Sequence, residues 1–147
     1  MAATLFDPAL AAQTAPSPAA APSTHRRWAG RTLSGLAVAF LGMNAAVGLL
    51  ALPAAVEGTR QLGFDPAVLL PFGLIQVACL ALYLVPRTAP LGAVLWTGWL
   101  GGAIATHVRL GNPMLTHTLF PLYVALPLWL GLYLRDPRVR AVLGPAR

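Results

Sequence analysis

The sequence predicts an all-α integral membrane protein: a bundle of four transmembrane helices with both termini in the cytoplasm. Three observations predict it. First, of 147 residues 57% are hydrophobic and only 10% are charged, whereas a soluble domain carries about 25% charge. So few charges cannot cover a water-facing surface. Second, four long runs lack any charged residue, and crossing a hydrocarbon core of about 30 Å takes about 20 such residues in a helix. Third, the arginines gather at alternate ends of these runs.

Residues 1–30 form an Ala/Pro-rich tail. The segment from Gln13 to Thr24 is too poor in apolar side chains to offset its ordering entropy, so disorder is expected, with a marginal helix at Leu5–Ala12. The tail has neither a basic n-region nor an apolar h-region, which excludes a signal peptide. HRRWAGR, His25 to Arg31, then leads into the first span, expected at 33–52 and limited by Pro53. A polar loop, EGTRQLGFDP, separates it from the second span, 67–86. The turn PRTAP leads to the third, 89–107, and Gly111-Asn112-Pro113 supplies turn chemistry before the fourth, 115–134. RDPRVR ends that span, and residues 144–147 form a short tail. The short connections make neighbouring helices antiparallel.

All ten basic residues are arginine, against four acids, for a net charge of +6. On one side of the bundle lie Arg26, Arg27, Arg31, Arg87, Arg135, Arg138, Arg140 and Arg147; on the other lie Arg60 and Arg109. By the positive-inside rule the first side is cytoplasmic. Because the arginines flank apolar runs, the partner they imply is the lipid bilayer and not nucleic acid. The Arg-only, Ala/Gly/Pro-rich usage resembles that of bacterial proteins, which places the chain in a bacterial inner membrane. Several of Trp28, Trp96, Trp99, Trp129, Tyr83 and Tyr133 fall near span ends, where amphipathic rings suit the interface; Trp99 falls deeper, facing other helices.

Polar and small residues within the spans carry the remaining information. Asn44 and Gln76 sit mid-span, where an amide needs a partner, so a hydrogen bond between them or to backbone is expected to lock the bundle. In the third span Gly98 and Gly102 form GxxxG, and Gly101 and Ala105 form a second small-residue pair; both predict close helix packing, within the chain or against a second copy. The rim beyond this helix collects His107, Arg109, Asn112 and His117. Three readings of the rim stay open: a water interface whose groups bind one another or lipid, a site for an anion or small ligand held by Arg109 and a histidine, and metal or haem ligation by His107 and His117. A third or fourth zinc ligand is not evident, so no metal is assigned. Cys79 is the one cysteine, which leaves no disulfide and no CxxC pair. Walker, GxSxG, HExxH and GxGxxG motifs are absent.

LYLVPRTAPLGAVLWTGWLGGAIATHVRLGNP, Leu82 to Pro113, resembles the central signature of the DoxX-like family, in the DoxX/DoxD grouping of small bacterial four-helix membrane proteins. LPAAVEGTRQLGFDP and WLGLYLRDPRVRAVL extend the resemblance over about residues 33–143, making 31–143 one domain. The resemblance implies a four-helix membrane fold. Some relatives in the grouping are subunits of thiosulfate:quinone oxidoreductase. Relatives often carry a Lys near the outer end of the first span, where this chain reads AVGLLAL, and a Glu in the second, where it has Gln76. Loss of both charges together avoids an orphan buried charge and argues against an activity needing that carboxylate. The function expected is therefore a non-catalytic subunit or accessory protein of a membrane redox or small-molecule-handling complex, with other membrane subunits or further copies of itself as partners. The alternative is a quinone-linked oxidoreductase subunit with its ligand at the outer rim. Quinone is the one cofactor in view.

Overall fold

A computed structural model of the chain describes residues 23–144. The expected disorder of residues 1–22, the marginal helix at Leu5–Ala12 and the last three residues of the C-terminal tail lie outside the described residues. Within them six α-helices occur: α1 (Thr24–Leu49), α2 (Pro53–Gln61), α3 (Leu69–Leu84), α4 (Ala89–Arg109), α5 (Phe120–Arg135) and α6 (Pro137–Leu143). A 3₁₀ turn, Pro66–Val68, precedes α3, and a π-helical turn, Met114–Thr118, precedes α5. Among the described residues four segments are long and apolar enough to cross a membrane: Thr24–Leu49, Pro66–Leu84, Ala89–Arg109 and Met114–Arg135. The chain is a multi-pass membrane protein whose apolar exterior faces lipid.

The bundle is a four-sided ring in which α1 packs on α3 and α5, and α4 packs on the same two helices. Its most extensive seam joins α1 to α5 and depends on two glycines. A Cβ on Gly131 would lie 2.5 Å from Ser34 Oγ and 2.7 Å from Ser34 N; one on Gly30 would lie 2.9 Å from the Gly131 carbonyl oxygen. Without those Cβ atoms the two backbones meet. Gly92 does the same between α4 and α3, against the Tyr83 backbone. At the centre Tyr83, wholly buried, joins three helices: its hydroxyl donates to the Leu128 carbonyl (2.8 Å) and lies 3.0 Å from Ser34 Oγ. Trp96, Leu41, Leu128 and Leu132 fill the space around it.

Helix α1 begins at Thr24, so residues 24–30, read as tail from their composition, are helical. Tertiary contact explains this: Gly30 is buried against α5, and the Arg26 guanidinium lies over the Tyr133 ring at 5.7 Å. The loop EGTRQLGFDP is also partly helix, since Glu57 to Gln61 belong to α2, which Pro53 opens at its first position. Tyr83 and Trp96 are core residues and not part of an interfacial belt, both being 0% exposed.

Of the two packings expected for Gly98, Gly101, Gly102 and Ala105, within the chain or against a second copy, the first does not occur. Cβ atoms at Gly98, Gly101 and Gly102 would meet nothing within 4 Å, and Ala105 is exposed. The buried stripe of α4 is instead Ala89, Gly92, Ala93, Trp96 and Leu100. GxxxG spacing aligns small residues on one face but does not specify a partner for it, and within the chain the seams of α4 use a different stripe, three small residues followed by Trp96 and Leu100.

Candidate functional site

Three helices, α1, α2 and α4, finish with the same hydrogen-bond pattern. The residue two past the cap bonds back to a carbonyl five earlier, and the residue between them bonds to one three earlier. In α4 these are Asn112 N to His107 O and Gly111 N to Val108 O, both 3.1 Å. In α2 they are Phe64 N to Thr59 O (3.1 Å) and Gly63 N to Arg60 O (2.8 Å). In α1 they are Leu52 N to Val47 O (3.2 Å) and Ala51 N to Gly48 O (3.0 Å). The pattern requires a left-handed residue in the middle. Gly111 (φ 66°) and Gly63 (φ 79°) meet this readily; Ala51 (φ 46°) does so under strain.

These turns place the rim side chains. Folding Asn112 back over α4 brings its Nδ2 to 2.8 Å from His107 Nδ1. An amide nitrogen can only donate, so in this arrangement Nδ1 accepts and neutral His107 keeps its proton on Nε2. The π-helical turn, with Thr118 N bonded to Pro113 O and Leu119 N to Met114 O, carries His117. Its ring meets that of His107 edge-on, centroids 5.9 Å apart, and its Nδ1 lies 2.8 Å from Thr116 Oγ1. Arg109 turns the other way. Its guanidinium donates to the Leu62 carbonyl (2.9 Å) and lies 5.9 Å from the Phe64 ring centroid, tying the end of α4 to the end of α2.

Beneath this rim a pocket of about 450 Å³ opens between α1, α2, α3 and α4. Gly98 and Gly102 line it, and their missing side chains leave the space. Phe64, Phe72 and Trp99 provide aromatic walls, with Trp99 edge-on to Phe72 at 5.0 Å. Asn44, Thr59, Thr106 and His107 supply polar groups. Asn44 is itself held by Gln76, its Nδ2 donating to Gln76 Oε1 at 2.9 Å. The amide pair expected from the sequence therefore both locks α1 to α3 and sets Asn44 at the pocket wall. A second cleft of about 360 Å³, between α1, α2 and α3, shares Asn44, Thr59, Leu62 and Phe72 with it.

Of the four rim residues named from sequence, His107 alone lines the main pocket. Asn112 and His117 touch His107, and Arg109 does not join them. The aromatic walls were not among the residues singled out for a site. One signal for Phe64 was available: it follows Gly63 as Asn112 follows Gly111, after a leucine in each case. Among the described residues no group of three or more His, Cys, Asp or Glu side chains could hold a metal ion. At the opposite end Asp136 is paired with Arg138 (2.9 Å), whose hydrogen bonds hold the carboxyl below the usual carboxylate range.

No curated protein and no solved structure matches this chain. Residues 32–131, which reach from within the first span to near the end of the last, match the DoxX-like family. With that match over most of its length, and with the fold described above, the chain belongs to the DoxX-like family of membrane proteins.

Proposed function

We propose that the protein is a non-catalytic subunit of a membrane redox or small-molecule-handling complex, and that its pocket holds a lipophilic carbonyl compound of the quinone type. The pocket beneath His107 carries this reading. It is apolar and aromatic, as a ring entering from lipid requires, and it has few polar groups, as orientation requires. Asn112 leaves the His107 proton on Nε2, where it can donate to a carbonyl. Asn44 and the threonines offer further hydrogen bonds. The lining contains no carboxylate and no thiol, which favours holding a ligand over transforming it. In this reading partner subunits perform the chemistry, and the membrane is a bacterial inner membrane with both termini cytoplasmic, as the arginine distribution indicates.

Titration of the detergent-solubilised protein with a short-chain quinone, followed by tryptophan fluorescence, tests the pocket. Saturable quenching is expected. Gly102→Leu, which fills the space, should abolish it. His107→Ala should weaken binding about tenfold, the usual loss for one hydrogen bond to a ligand. Absence of saturable quenching, or equal quenching in the Gly102→Leu protein, rejects the reading.

A further inference from the structure

At the other end of the bundle, some 30 Å away along α4, lies a second arrangement that the pocket reading does not use. A cleft of about 440 Å³ is bordered by Arg27 and Arg31 of α1, Arg135 at the end of α5 and Arg138 of α6. Arg27 and Arg31 are four residues apart and so share a helix face. The single acid on the lining, Asp136, is already engaged by Arg138. Among the described residues the buried Nε of Arg135 finds no hydrogen-bond acceptor. Arg138 is paired with Asp136 and also donates to the Pro86 carbonyl, and Arg31 and Arg135 lie over the Trp28 and Tyr83 rings at 5.8 Å and 5.0 Å. No carboxylate on the lining balances Arg27, Arg31 and Arg135, so the cleft carries a net positive charge that suits an anion.

Arg138 also borders a second space, a groove of about 340 Å³ between α4, α5 and α6. That groove is lined by Leu91, Val94, Trp129, Val142 and Leu143, and Arg138 is its one charged residue. Val142 and Leu143 are exposed on α6, 81% and 58% respectively, at the level where the spans end. A charged cleft and an apolar groove that share one arginine match a molecule with an anionic head and a hydrocarbon chain.

We infer that this end of the protein is a specific site for an anionic phospholipid, with the phosphate in the arginine cleft and an acyl chain in the groove bordered by α6. A free phosphate satisfies the first element only. A zwitterionic lipid brings its own ammonium close to the arginines. The inference is independent of the pocket below His107 and stands or falls separately from it.

The test uses the full chain in detergent, with phosphatidylglycerol, phosphatidylcholine and inorganic phosphate as probes, read by thermal melting and by lipid retention in native mass spectrometry. Phosphatidylglycerol should raise the melting temperature and remain bound, whereas phosphatidylcholine and phosphate at equal concentration should not. Each arginine near a membrane surface changes anionic-lipid affinity about fivefold, so Arg27→Gln/Arg31→Gln should bind phosphatidylglycerol roughly 30-fold more weakly. Arg60→Gln, at the far end, should bind as wild type. If the double variant does not fold, Arg31→Gln alone and a salt titration of wild type serve, both expected to weaken binding. Equal stabilisation by phosphatidylcholine, reproduction of the effect by phosphate alone, or wild-type affinity in the arginine variants overturns the inference.

Discussion

Two glycine-bearing surfaces of this bundle contrast directly. On the α1–α5 seam Gly30 and Gly131 let backbones touch, and a single Cβ would collide with Ser34. On α4, Gly98 and Gly102 face open space and line a pocket. The residue type is the same, but its use is opposite: in one place a missing side chain is replaced by a neighbouring helix, and in the other by nothing. What decides is the opposing surface. Ser34 presents a short side chain to α5, whereas Gly98 and Gly102 open on a pocket walled by Phe64, Phe72 and Trp99.

The largest effect that separates these surfaces is expected from Gly131→Ala. It should destabilise the protein by about 3 kcal/mol, the upper range for overpacking, because Ser34 must move and Tyr83 then loses a hydrogen-bond partner. Gly98→Ala and Gly102→Ala should stay within about 0.5 kcal/mol of wild type, as substitutions away from packed features do. Reversible thermal or denaturant unfolding in detergent measures both, and equal losses would erase the contrast.

Asn44→Leu comes next. It leaves the Gln76 amide, 6% exposed, without its partner and should cost about 1–2 kcal/mol, with Gln76→Leu added on top restoring part of the loss. A double-mutant cycle reads the coupling. Ala51→Gly should act in the opposite direction. The left-handed backbone at Ala51 costs an L-residue about 1–2 kcal/mol, so relief should outweigh the extra freedom glycine has when unfolded and raise stability by about 0.5–1 kcal/mol. A melting temperature unchanged or lowered by Ala51→Gly counts against strain at that turn.

The smallest effect concerns acid. The Asp136 carboxyl is held below its ordinary range by hydrogen bonds from Arg138. A group depressed in the folded state contributes stability above its unfolded pKa, and that contribution disappears as pH falls through the folded value. The wild-type protein should therefore lose slightly more stability as the pH falls below about 4 than Asp136→Asn does. The exposure of Arg138 keeps the difference small.

Much of the fold was legible because the bilayer tolerates few solutions. Uncharged runs of helical length mark spans, and Pro86, Pro113 and Pro137 mark where they stop. The Asn44–Gln76 bond was legible for the same reason: two lone amides in hydrocarbon have few other partners. What composition could not show was contact. HRRWAG reads as tail until Gly131 is placed beside Gly30, and GxxxG does not say whether its partner is a helix of the same chain. At the rim, residues two apart on a helix diverge by about 200°, and Arg109 turns to Leu62 and Phe64 while His107 lines the pocket. Phe64, Phe72 and Trp99 come from three segments, so no local pattern unites them.

The π-helical turn at Met114–Thr118 has one further consequence. It holds one residue more than an α-helical turn would, and that extra residue offsets the phase of the chain before it from the chain after it by about 100°. The membrane half of the segment can therefore keep Val124 and Leu128 toward the centre while His117 is independently aimed at His107. Deleting one residue from this turn would leave the interior packing where it is and swing the histidine off the rim, so the length of five residues sets the spatial relation between scaffold and chemistry.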